Sequence, residues 1–170
     1  MKKLLLLVAI LLLYGCPGND DCDDIRSIAR VDNLIKLTPV QTQYRQGDVI
    51  TLYVQIPAIN DYFGSTTNLL EQTGNSNAKL SLSTAELQNG NELMFISGYQ
   101  EREINWFGLR FNNNTGRYEL EIQIKLNRIG MYDIPTLDTI FFKGENCNRF
   151  LIDTNIEWTT FGQVTFEVVP

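Results

Sequence analysis

Tyr118, Leu120, Ile122, Ile124 and Leu126 alternate without a break with Glu119, Glu121, Gln123, Lys125 and Asn127. Successive side chains of a strand point to opposite faces, so this spacing builds one dry face and one wet face. On a helix the same apolar residues would split between two opposite sides and leave no single stripe to bury. Ile50, Leu52, Val54 and Ile56 repeat the pattern, opened by Gly47-Asp48 and closed by Pro57. Ile104 to Phe111 and the turn-rich run Asn112-Asn113-Asn114-Thr115-Gly116 predict the other arm and the loop of a hairpin that ends in the Tyr118 strand. Val164, Phe166 and Val168, after Gly162, give a last strand, and shorter ones are expected over Asn33 to Leu37, Lys79 to Ser83, Glu92 to Ser97 and Thr139 to Phe142. The best helical signal is Asn68 as cap, Glu71 at the third helical position and Gly74 as stop, which makes about one turn. The pattern as a whole predicts an all-β sandwich.

The first residues carry an address. Met1, Lys2 and Lys3 supply a positive start and Leu4 to Leu13 an apolar run, the layout of a secretory signal peptide. The run is too short to cross a bilayer, which takes about 20 apolar residues. Leu13-Tyr14-Gly15-Cys16 resembles the lipobox of bacterial lipoproteins. That resemblance implies that residues 1–15 are removed, that Cys16 becomes the lipidated N-terminus, and that the membrane is a partner through that lipid, at the outer membrane or cell surface. Residues 16–26 read as a tether, because Pro17 to Asp24 are turn-forming, polar or acidic apart from Cys22. The tether also resembles the acidic surface-export signal that follows the lipidated cysteine in lipoproteins of the Bacteroidetes. It lacks the Asp-x-Asp-x-Asp-Gly and distal Glu order of a calcium loop.

Charge and cysteine count then bound the remainder. Loss of Lys2 and Lys3 takes the formal charge from −6 to 12 − 20 = −8. A surface of that overall sign repels nucleic acid, and no nucleic-acid partner is expected. With Cys16 lipidated, Cys22 and Cys147 are left as an even pair in an exported chain. A Cys22–Cys147 disulfide is the favoured use and two free thiols the alternative; the staple would contribute about 2–4 kcal/mol. Two thiols without histidine do not complete a tetrahedral zinc shell, so no metal is expected.

Directly after the long alternating strand comes Gly130-Met131-Tyr132-Asp133-Ile134. This step resembles the tyrosine corner of immunoglobulin-like sandwiches, and the resemblance in strand spacing runs from Gly47 to Pro170. It implies an immunoglobulin-like antiparallel sandwich over residues 27–170, with the Tyr132 hydroxyl bonded to backbone a few residues upstream. Ile134 stands where antibody domains carry a cysteine, so their inter-sheet disulfide is not implied. A long loop at about 58–79 exceeds the compact layout of that family.

The chain contains no histidine. Ser-His-Asp and Cys-His nucleophile systems, His-bearing zinc sites and haem with a His axial ligand are therefore excluded. No Gly-rich phosphate loop opens a helix, and no cofactor is expected. The expected function is a non-enzymatic binding or assembly module, with a surface glycan or a protein as partner. A carboxylate-dependent enzyme such as a glycoside hydrolase is the alternative, with Glu101, Glu103, Glu119 and Glu121 as its available acids; a purely structural surface module is the third reading. Candidate binding residues are Tyr62 and Phe63 in the long loop and Trp106, beside Phe107; the competing role for these rings is to plug the ends of the sandwich. Asp138-Thr139-Ile140 matches the Asp-Thr-aliphatic acceptor pattern of Bacteroidetes O-glycosylation.

Replacing the lipobox cysteine tests the address. Cys16→Ala should accumulate as a precursor that keeps residues 1–15, read by intact mass of membrane-extracted protein; normal cleavage and release of the variant would overturn the lipoprotein reading.

Overall fold

The computed structural model describes residues 27–83, 85–135, 137–144, 148–157 and 163–170. The two alternating segments become its longest strands, β4 (Val49–Pro57) and β11 (Arg117–Lys125). They pair antiparallel along their whole length, from Arg117 opposite Pro57 to Lys125 opposite Val49. In this register Ile50, Leu52, Val54 and Ile56 lie directly across from Ile124, Ile122, Leu120 and Tyr118, and all eight are at most 1% exposed. A slip of one residue would turn all four inward side chains of the slipped strand to water.

A large sheet grows on both edges of this pair. Its members in chain order include β1 (Ser27–Arg30), β2 (Ile35–Thr38), β7 (Asn77–Ser81), β8 (Glu92–Ser97), β9 (Tyr99–Gln100), β10 (Trp106–Asn112), β13 (Asp138–Lys143) and β14 (Arg149–Thr154). The path runs β1-β14-β13-β7-β10-β11-β4-β2, with β8 on β11 and β9 on β10. The sheet is mixed, because β1 runs parallel to β14 while its other pairs are antiparallel. It also curls. The edges β1 and β2 are joined by residues 31–34, and the two ends of that link bond to β14 and to the chain just after it: Val31 N–H donates to the Asp153 carbonyl at 2.9 Å, and Glu157 N–H donates to the Ile35 carbonyl at 2.6 Å. Asn33 and Asn155 lock the seam, the Asn33 N–H donating to Asn155 Oδ1 at 2.8 Å and Asn155 Nδ2 donating to Asn33 Oδ1 at 3.2 Å.

The β10–β11 hairpin pairs only near its turn, over Arg110–Asn112 and Arg117–Glu119, and then forks. β8 fills the fork on the β11 side and β9 on the β10 side, with Gly98 at the tip. Gly98 has φ +80°, and a Cβ there would lie 2.5 Å from the Gly108 carbonyl oxygen and 2.5 Å from Leu120 Cδ1. Only a glycine fits that wedge.

A second sheet of three strands, β12 (Gly130–Pro135), β15 (Gln163–Val169) and β3 (Gln43–Arg45), shares the same core. Tyr132 lies opposite Phe166, and the two rings stack at 4.7 Å. The stretch read as a long loop carries more structure than a loop: β5 (Ile59–Asn60) pairs with β6 (Thr67–Asn68), and α1 (Leu69–Thr73) follows. Asn68 caps α1 by accepting the Glu71 N–H at 3.3 Å, and Gly74 ends it at φ 64°. Buried Leu69 pins the segment to the core.

Tyr132 is fully buried, and its hydroxyl lies 3.0 Å from the Arg128 carbonyl and 2.9 Å from Asn91 Oδ1. Asn91 Oδ1 also accepts the N–H groups of Asn127 and Arg128, while its amide nitrogen donates to the Leu87 carbonyl. One side chain thus ties the turn before β8 to the crossing from β11 to β12. Tyr132→Phe should cost about 1–2 kcal/mol, and Asn91→Ala as much or more because two backbone donors lose their acceptor. Denaturant midpoints at unchanged slope measure both; a neutral Asn91→Ala would remove Asn91 from this role.

Candidate functional site

Strands β7, β10, β13 and β14 lie side by side and bury one face. Ala78 and Leu80, Phe107 and Leu109, Ile140 and Phe142, and Phe150 and Ile152 point inward. The opposite face meets water, and its rows follow from the register. One row reads Leu151, Phe141, Lys79, Gly108 across β14, β13, β7 and β10, and Tyr99 of β9 continues it. The next row toward one end places Asp153, Thr139, Ser81 and Trp106 in line. Trp106 and Phe141 meet diagonally, ring centres 5.1 Å apart at 44°. With Leu151, Asn75, Asn77, Lys79, Lys143 and Arg149 they line a groove of about 300 Å³, at the lower end of the range for small-molecule sites.

The groove is held from outside its own strands. The 58–79 segment delivers Asn75 just after the end of α1, and Asn75 Nδ2 donates to the Lys143 carbonyl at 2.9 Å while its own carbonyl accepts the Tyr118 hydroxyl at 2.7 Å. Asn148 Nδ2 donates to the Gln72 carbonyl at 2.7 Å. On the other side, the Tyr99 ring covers Gly108, where a Cβ would come within 2.1 Å of it. The Arg110 guanidinium sits 5.1 Å from the centre of that ring, and Lys79 pairs with Glu101 at 3.3 Å. Burial, then the Glu101 charge, raises the Tyr99 hydroxyl pKa.

Of the residues singled out in the sequence, Trp106 stands on this face, and its neighbour Phe107 is core. Tyr62 and Phe63 are elsewhere and half-buried. Phe63 packs edge-on against Phe150 at 5.1 Å, and Tyr62 lines a separate depression with Lys36, Tyr53, Gln55 and Arg117. Tyr132 belongs to the corner described above. Cys16, Cys22 and Cys147 lie outside the described residues. Phe141, Leu151, Lys143 and Arg149 are members of the groove that sequence reasoning missed. Their signal was there: in the runs Ile140-Phe141-Phe142 and Phe150-Leu151-Ile152 the middle residue faces water, where a half-exposed strand ordinarily carries a polar side chain.

Among the described residues no carboxylate lines the groove itself, while Glu101 and Glu103 line a depression beside it with Lys79, Arg102 and Trp106. Glu101 is tied to Lys79, and Glu119 accepts from Thr115 at 2.7 Å and from Asn112 at 2.9 Å. Asp138 is 2% exposed and points inward beside Ile140 and Phe142, whereas Asp153 points outward and accepts the Thr139 hydroxyl at 3.0 Å. The acceptor pattern around Thr139 thus has a buried aspartate and a hydroxyl already engaged. Among the described residues no group of three His, Cys, Asp or Glu side chains is placed to hold a metal ion. Neither a known family model nor a curated protein matches the chain.

Asp138 gives this region a pH dependence. Burial pushes its pKa up to about 6, against a partial offset from the Ser83 N–H, which donates to Oδ1 at 2.7 Å. Oδ2 has no partner among the described residues. An unfolded aspartate titrates near pH 3.9, so between roughly pH 4 and 6 the folded state holds a proton that the unfolded chain has lost. Stability contributed by Asp138 therefore falls as pH rises through that window, by up to about 3 kcal/mol. Asp138→Asn should flatten the dependence of the denaturation midpoint between pH 4 and 6.5; parallel profiles for the two proteins would refute the assignment.

Proposed function

We propose that this chain is a lipid-anchored, non-enzymatic binding module of the outer membrane or cell surface, and that the outward groove between Trp106 and Phe141 takes a saccharide chain. The observation that carries the reading is an inversion of the usual strand pattern. Trp106, Phe141 and Leu151 are half-exposed on the wet face of a sheet whose other face already supplies the core. Rings placed there gain nothing from the fold's interior, yet offer a flat apolar surface to the C–H face of a sugar ring. Asn77, Lys79 and Lys143 stand beside them to meet hydroxyl and ring oxygens.

The non-enzymatic part rests on the chain having no histidine and on inward Asp138 and outward Asp153 facing opposite ways. The lipid anchor rests on the charge, apolar run and Gly15-Cys16 order at the N-terminus. The finer architecture proposed is immunoglobulin-like. In its support, the neighbours β2-β4-β11-β10 follow the A-B-E-D order of that family, β12 and β15 pair antiparallel as F and G do, and the Tyr132 hydroxyl lies 3.0 Å from the Arg128 carbonyl four residues upstream. On this reading the β13–β14 hairpin is an insertion between the F and G strands that widens the first sheet.

Binding of the full-length lipidated protein to a panel of polysaccharides tests the proposal. Trp106→Ala should keep the fold and lose about tenfold or more in affinity, while Tyr62→Ala should leave affinity unchanged. Equal binding by Trp106→Ala moves the site elsewhere. Turnover of a glycan that vanishes on a single Glu→Gln change would replace the binding reading with the hydrolytic one.

A further inference from the structure

We infer that the groove is one half of a longer site, and that a second subsite on the far side of Trp106 takes an uncharged sugar unit of the same chain, held through its hydroxyls. The inference rests on the groove being a saccharide site; it adds the extent of that site and the charge of its ligand. A depression of about 300 Å³ lies beside the groove, lined by Lys79, Glu101, Arg102, Glu103 and Trp106. Lys79 and Trp106 line both hollows, so the two share a wall, and a ligand passes from one to the other over the indole. On the groove side that indole meets Phe141, ring centres 5.1 Å apart. Each hollow alone is at the lower end of the range for small-molecule sites, and the two in line suit a short run of sugar units.

The second hollow is built on a tight turn. Strand β9 ends at Gln100, and the chain returns as β10 at Trp106. The Glu101 N–H donates to the Trp106 carbonyl at 3.1 Å and the Trp106 N–H to the Glu103 carbonyl at 3.3 Å, so both carboxylates and the indole are carried by one closed loop. The Leu82 N–H donates to the Asn105 carbonyl at 2.9 Å, which ties this loop to the chain just after β7, the strand that carries Lys79.

The charges of the lining balance, with Lys79 and Arg102 against Glu101 and Glu103. Lys79 and Glu101 are already in contact at 3.3 Å, and the Glu101 side chain is only 19% exposed. Such a lining has no net attraction for an ion of either sign. It does offer donors on the two cations and acceptors on the two carboxylates. A hydroxyl is both donor and acceptor, so neighbouring hydroxyls of one sugar ring can bridge the Lys79–Glu101 pair with charge-assisted bonds on each side. An acidic unit would set its own carboxylate against Glu101 and Glu103. Farther along the face the register likewise sets Glu119 opposite Arg110 and Asp153 opposite Arg30. The two hollows thus divide the work: Trp106 and Phe141 stack on one unit, and the charge-balanced pocket meets the hydroxyls of the next.

Full-length lipidated protein in detergent is titrated with linear neutral oligosaccharides of glucose, mannose, xylose and galactose, from disaccharide to hexasaccharide, and with polygalacturonate, each at roughly 50 and 300 mM salt. The neutral series that binds best should gain about tenfold or more in affinity from disaccharide to hexasaccharide, with no change between the two salts. Glu101→Gln should weaken the hexasaccharide about fivefold with an unchanged melting midpoint, and should leave the disaccharide, which occupies the aromatic pair, as it was. Glu103→Gln, on the exposed rim of the same hollow, should act in the same sense and reads the subsite if Glu101→Gln lowers the midpoint. Trp106→Ala should weaken every length. Affinity that levels off at the disaccharide, with both Glu→Gln variants binding as the parent does while Trp106→Ala still loses binding, would overturn the second subsite and leave the groove standing as a saccharide site. Tighter and salt-dependent binding of polygalacturonate would overturn the uncharged ligand. Binding of no saccharide, neutral or acidic, would overturn the saccharide reading itself.

Discussion

The pairing of β4 with β11 is the constraint to which the rest of the molecule is fitted. Four inward side chains on each strand oppose one another in a fixed register, and burying each of them is worth roughly 1.5–3 kcal/mol against exposure. Because a slip of one residue would reverse both faces at once, the ladder has a single acceptable alignment. It leaves two edges to be satisfied. β2 takes the free edge of β4, while the free edge of β11 is shared between β10 near the hairpin turn and β8 farther along. The fork that results admits only a glycine at its tip, and Gly98 is there.

From that fork the candidate site follows by a chain of contacts. Opening the hairpin leaves room for β9 on β10, and β9 brings Tyr99 over Gly108. The ring in turn stacks under Arg110. On its other edge β10 pairs with β7 and, beyond it, β13 and β14, so that Trp106, Phe141 and Leu151 come to lie on one wet face. Tyr118, an inward residue of β11, reaches past the core to hold Asn75, and Asn75 reaches the Lys143 backbone. The same strand that organises the core therefore also braces the groove.

Where β-structure is half-buried, the sequence and the fold speak the same language. β4, β11, β10, β8, β13 and β15 coincide with alternating or apolar runs in the chain, and the cap and stop of α1 are the Asn68 and Gly74 that its sequence proposes. β14 was hidden for a physical reason. Phe150-Leu151-Ile152 has no polar residue at its outward position, so period-2 alternation disappears just where the strand contributes to the groove. β1 and β3 are four and three residues long and owe their extended backbone to partners far away in the chain, such as Asp153 for Arg30 and Glu167 for Gln43. The aromatic residues of the 58–79 segment misled for a related reason. A ring in a polar stretch looks exposed until the core behind it is known, and Phe63 finds Phe150 there.

By itself the sequence determined that the chain is nearly all β, which face of each long strand is dry, and which chemistries a chain without histidine lacks. These are local properties, set by side-chain period and residue type. Tertiary structure alone decided that the sheet curls so that β1 and β2 meet the continuation of β14. It also decided that residues as distant as Lys79, Trp106, Phe141 and Arg149 share one face. Neither fact has a local signature, because strand order is settled by which edges remain unpaired after the best-matched pair has formed.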